Sequence, residues 1–274
     1  MRRRGFDRPE LLLGNQFHAC RPSADELIHA ADALHARTRS IGANGSREQP
    51  LLDWFGAATE RIGLLAFAFG RPPPDFVARE LILGDTRADF ALLELPDSPL
   101  LPPRLILVEF QGALPNTLFE ARKRALLHWG RDFLDGFGQL MDWHFIQHHN
   151  TLSQKIASLT AGHRRPLETM FLLVAGLRQF SDDLLSEQRL AWWSRTIPLG
   201  SNFKVARFDD VAEEALQWTS RCRRWGHQLV PPTAASASDQ GAALCGRGRK
   251  PRNNKAALAG RPLAVSAAGA GAGA

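Results

Sequence analysis

The chain has 274 residues, 44% hydrophobic and 23% charged, a balance that supports a packed core and excludes a wholly disordered polypeptide. No apolar run approaches the roughly 18 residues that cross a bilayer, and Leu11-Leu12-Leu13 is too short for the apolar part of a signal peptide, so the expectation is a cytoplasmic protein with no membrane partner. The cysteines Cys20, Cys222 and Cys245 stand far apart with no CxxC spacing, against a disulfide scaffold or a cysteine-built zinc site; the net charge of +6 sits in the ends, +3 in residues 1–8 and +5 in residues 234–274, which leaves the body near neutral.

In chain order, residues 23–41 read as a helix. Ser23 is suited to cap it, with Asp25 and Glu26 in the first turn and Leu27, Ala30, Ala31 and Leu34 at helical spacing. Residues 48–69 read as a second helix, stopped by Gly70 and Pro72-Pro73-Pro74. The period then becomes that of strands. Val77–Leu83 and Ala88–Leu93 flank a Gly84-Asp85 turn, and Leu105–Phe110 is apolar on both faces, which predicts a central strand. Helices are expected over about 118–127 and 133–148, a strand over 170–174, a helix over 182–194, a strand over 203–208, and a last helix capped by Asp209 or Asp210 and running to about Trp225. This order predicts an α/β layer fold with a mixed sheet. The organisation read from it is an N-terminal helical segment (1–75), an α/β domain (76–230) and a disordered basic, Ala/Gly-rich tail (231–274).

Chemistry concentrates in residues 77–149. Asp89 lies inside an apolar strand, where a carboxylate is costly unless it is paired or binds a cation. Glu109 follows four apolar residues, and Gln111, two positions on, projects from the same face. If the two strands are neighbours, Asp89 and Glu109 converge into a hard-oxygen pair suited to Mg²⁺. Arg87 is close enough to be a plain ion-pair partner instead. His144 and His148 share a helix face without an evident third ligand, and Trp143, Trp192 and Trp193 are expected in the core. Arg221, Arg223 and Arg224 suit the C-terminal end of the last helix, where cations complement the dipole.

The run Leu105-Ile-Leu-Val-Glu-Phe-Gln-Gly-Ala-Leu-Pro-Asn-Thr-Leu-Phe119, then His128-Trp129 and Gly136-Phe-Gly-Gln-Leu-Met-Asp-Trp143, resembles the Shedu-type antiphage nucleases of the PD-(D/E)XK, restriction-endonuclease-like superfamily. The likeness is clearest over 80–150. It implies a restriction-endonuclease-like mixed sheet flanked by helices. It also implies Asp89 and Glu109 as metal ligands, Gln111 at the usual lysine position, and Gln139 facing the site from the following helix. A glutamate from a helix before the sheet often completes such sites; Glu48 and Glu60 both qualify. Arg122, Lys123 and Arg124 are the phosphate-contact candidates, and members tend to oligomerise.

The resulting expectation is a Mg²⁺- or Mn²⁺-dependent DNA endonuclease of antiphage defence, with catalytic Asp89, Glu109, Gln111 and Gln139. Gln111 departs from the family pattern: a neutral amide can orient water but supplies no charge. The alternative is therefore a catalytically inactive module of the same fold that binds nucleic acid or protein.

Overall fold

A computed structural model describes residues 16–83, 85–120, 128–148, 165–196 and 202–224. The chain divides into two units at Pro231/Pro232, and every described residue belongs to the first. The predicted tail, Arg122, Lys123 and Arg124 lie outside the described residues.

Helix α1 (Ala24–Ser40) starts at Ser23 with a reciprocal cap: Glu26 N–H donates to Ser23 Oγ, and the Glu26 carboxylate accepts from Ser23 N–H. The run read as one helix over 48–69 is three pieces: α2 (Glu48–Gly56), α3 (Thr59–Gly63) and a 3₁₀ segment (Leu64–Phe69). Ala58 is extended between the first two. Local periodicity missed the break because every piece is rich in apolar residues, and Leu64–Ala68 is buried on all sides.

The sheet contains β1 (His18–Ala19), β2 (Phe76–Leu83), β3 (Thr86–Glu94), β4 (Arg104–Phe110), β7 (Glu168–Val174) and β8 (Phe203–Ala206), in the order β1-β2-β3-β4-β7-β8. Strands β2, β3 and β4 form an antiparallel meander; β7 and β8 continue it in parallel. As its apolar run predicts, β4 is central. Of the helix expected over 118–127, residues 121–127 lie outside the described residues, and Phe119–Glu120 is instead a short strand β5 paired with β6 (His128–Trp129). Its aromatic ring stacks on Trp129 at 4.9 Å, a cross-strand contact that favours extended backbone over helix.

Helices cover both faces. On one, α1, α2 and α6 (Phe208–Arg224) pack over Val77, Phe90, Ile106, Val108, Phe110 and Leu172. Asp209 and Asp210 open α6, but they bind Arg178 and Arg207. On the other face, α4 (Arg131–His148) and α5 (Leu184–Thr196) cover Ala91, Leu93, Leu105, Leu107 and Leu173. Phe133, Leu140 and Trp143 recur along α4 and are buried. Trp193 is also buried, whereas Trp192, expected in the core, is 60% exposed because it falls on the outer side of α5. No described helix is long and apolar enough to cross a membrane.

Candidate functional site

The acids meet where β4 ends. The β3–β4 register runs from Glu94 opposite Arg104 to Phe90 opposite Val108, so one further step sets Asp89 across from Glu109. The ladder stops there, and the Asp89 side chain continues it: Oδ2 accepts a 2.7 Å hydrogen bond from Phe110 N–H. The next amide, Gln111 N–H, donates the other way, to Val174 O on β7.

The break has a counterpart on β2. Glu80, opposite Asp89 in the β2–β3 register, is unpaired, while Arg79↔Phe90 and Leu81↔Ala88 are paired on either side. Glu80 has φ +55°, the one positive φ at a non-glycine residue among the described residues. Such a conformation costs on the order of 1–3 kcal/mol and persists only where its surroundings impose it. The two faces exchange there: Ala78 and Leu81, three apart, both enter the α4-side core. That flip, which no alternation rule anticipates, lets Asp89 reach the backbone of β4.

Glu109 is 5% exposed, and its Oε2 has no hydrogen-bond partner among the described residues. A buried, unpartnered carboxylate oxygen is costly unless protonated or bound to a cation. Burial first, then the charges of Asp89 and Glu48, push the Glu109 carboxyl up to about 9, against a weaker pull from Arg87. Burial also raises Asp89, to about 6, although the Phe110 N–H and Arg87 favour its charged form. Burial and the neighbouring acids thus favour the protonated form of Glu109, while the Phe110 N–H favours the ionised form of Asp89.

Glu48 is the third acid. It opens α2, whose start is anchored to the end of β4 by a bridge between Ser46 and Ala113. Burial, then Asp89 and Asp132, raise it to about 7. Glu60 lies elsewhere, with its charge acting on the buried Cys20 thiol. Of the two helix glutamates, the structure brings Glu48 to the site. Asp132, in the first turn of α4, went unnoticed in the sequence; its signal was its place at a helix start four residues before Gly136.

Gln111 is buried with Glu109. Gly136 of α4 packs on it so closely that a Cβ there would lie 2.9 Å from Gln111 Cγ and Nε2. Gln139 is exposed. It lies seven residues beyond Asp132, on the same edge of α4. Arg87 pairs with Glu80 at 3.4 Å, so it does not lock Asp89 away. Trp143 is core, as expected; His144 is edge-on to Phe171, 5.6 Å between ring centres. The side chains of His148, Arg223 and Arg224 lie outside the described residues.

Among the described residues, no group of three or more His, Cys, Asp or Glu side chains is placed to hold a metal ion. Mg²⁺ commonly takes only one or two carboxylates and keeps its waters, and the orphan Oε2 of Glu109 beside Asp89 fits that demand. A separate hollow of about 240 Å³ is lined by Arg178, Lys204, Asp210 and Glu213. Its cations are engaged: Arg178 binds Asp210 and Glu213, and Lys204 binds the Ala68 carbonyl.

Fold and site together define a mixed α/β protein with a six-stranded mixed sheet, helices on both faces and buried acids at the end of its central strand. No family model matches the chain, and no curated protein matches it.

Proposed function

We propose that this protein is a divalent-metal-dependent DNA nuclease of the restriction-endonuclease-like fold, of the Shedu kind, acting in the cytoplasm in antiphage defence. The observation that carries the reading is Glu109, whose buried Oε2 has no hydrogen-bond partner among the described residues and whose neighbours are the carboxyl groups of Asp89 and Glu48. The mixed sheet is of the kind the family resemblance implies.

Asp89 and Glu109 are the residues that would hold Mg²⁺ or Mn²⁺, with Glu48 at the rim. The bound ion supplies charge against the phosphate oxygens and makes water more acidic. Gln111, fixed against Gly136, orients water through its amide, which both donates and accepts. To hold the cation, Glu109 would have to be ionised, as ligand carboxyls must be. Gln139 contacts the nucleic-acid backbone from the α4 edge.

The test is nicking of supercoiled plasmid in Mg²⁺ or Mn²⁺ by wild type, Asp89→Ala and Glu109→Ala. Cleavage by wild type and none by either variant is expected; cleavage surviving both substitutions rejects the assignment.

The neutral Gln111 favours a second reading, a binding module of this fold without turnover. It expects salt-dependent DNA binding that metal does not strengthen, and no nicking. Cleavage gained in Gln111→Lys or Gln111→Glu would mark an otherwise intact site.

A further inference from the structure

The β2–β3 hairpin runs on past the break at Glu80 and Asp89. Beyond it Leu81, Leu83 and Ala88 remain buried in the α4-side core. Arg87 and Ile82 are register partners across the two strands, and both are more than half exposed. A strand pair therefore presents one cation and one bare aliphatic side chain on its open face, two residues from Asp89.

The acids at the site repel a polyanion. One divalent ion balances two of them, and a phosphodiester approaching the site still needs a cation nearby. Of the neighbouring arginines, Arg79 is tied to Asp53 at 3.3 Å and pressed against Gly56. Among the described residues Arg87 is held by Glu80 alone, at 3.4 Å, with both side chains half exposed. Such a surface pair is weak, and phosphate can displace it. The positive charge of Arg87 also acts on both Asp89 and Glu109, which places it within electrostatic reach of the reacting centre.

We propose that Arg87 binds a backbone phosphate of the nucleic-acid strand lying across the acids, that Ile82 packs against the adjoining sugar, and that Glu80 occupies the guanidinium until phosphate displaces it. This rests on the nuclease reading and adds the hairpin as its substrate-gripping element.

The test measures binding of a short fluorescein-labelled DNA duplex by anisotropy, across a series of salt concentrations, with Ca²⁺ present. The protein is the full chain carrying Glu109→Gln to silence cleavage. Adding Arg87→Ala is expected to make the slope of log K against log salt shallower by about 0.9, the value of one phosphate contact. Arg87→Lys keeps the slope. Glu80→Gln frees the guanidinium and tightens binding or leaves it unchanged. If the pair were merely structural, Glu80→Gln and Arg87→Ala would weaken binding alike, and that result overturns the proposal. An unchanged slope in Arg87→Ala overturns it too, and if wild type still nicks plasmid, the nuclease reading stands without it. No binding at low salt by the Glu109→Gln protein, together with no nicking by wild type, removes both.

Discussion

Asp89 is bonded to the backbone of β4 rather than to an arginine: its Oδ2 lies 2.7 Å from Phe110 N, next to Glu109 in the chain. The side chain thus has two duties, completing a sheet ladder and standing beside the buried carboxyl of Glu109. The two can be separated by substitution. Asp89→Ala leaves the Phe110 N–H without its acceptor and should cost about 1–3 kcal/mol in urea unfolding. Asp89→Asn keeps an acceptor and should lose clearly less stability, while nicking is abolished in both. Equal destabilisation by the two variants would sever the link between the hydrogen bond and the fold.

The raised carboxyls predict how stability depends on pH. An unfolded glutamate titrates near 4.5, and folded Glu109 near 9. The folded chain therefore holds a proton that the unfolded chain releases between those values, and stability is lost as the pH rises. This contribution is complete below about pH 4.5 and gone above about pH 9; Glu48, raised to about 7, adds to the same trend. Without divalent metal, thermal melts between about pH 5 and pH 9 should show a falling Tm. Glu109→Gln should flatten the fall, because a neutral amide has no proton to lose.

Divalent cations should reverse that trend. Mg²⁺ or Mn²⁺ replaces the proton on Glu109, so the Tm gain on adding metal should be larger at pH 8 than at pH 6, with proton release measurable in a weakly buffered titration. Asp89→Asn and Glu109→Gln should each remove most of the gain. A metal-induced Tm rise that is identical in these variants would assign the ion to another place.

Two glycines of α4 should behave oppositely. A Cβ at Gly136 meets Gln111 and Leu173 at 2.8–2.9 Å, whereas nothing lies within 4 Å of one at Gly138. Gly138→Ala should stabilise the helix by up to about 1 kcal/mol, the usual advantage of alanine over glycine. Gly136→Ala should displace the Gln111 amide, and nicking should fall by roughly tenfold or more, the scale set by small misplacements of a reacting group. Urea melts and initial nicking rates on the same preparations separate the two effects.

Elements with one strong period were legible from residue order. Helix α1, strands β2, β3, β4 and β7, and helices α4 and α6 lie close to their expected places, and β4 is central because it is apolar on both faces. The convergence of Asp89 and Glu109 was conditional on their strands being neighbours, and the antiparallel pairing of β3 with β4 meets that condition. Three features were not legible. The run over 48–69 looked continuous because its breaks fall among apolar residues. Phe119–Glu120 fits a helical run by residue order, and its pairing with β6 makes it a strand. The left-handed Glu80 lies in a stretch that reads as ordinary strand.

Sequence alone determined which strand must be central and which two acids would be expensive to bury, because each follows from the chemistry and spacing of near neighbours. Tertiary structure decided that Glu48 rather than Glu60 joins them, that Asp89 turns to the Phe110 amide, and that Gln111 is wedged under Gly136. These are contacts between segments distant in the chain, set by strand register and by how helices dock on a twisted sheet, and no local period encodes them.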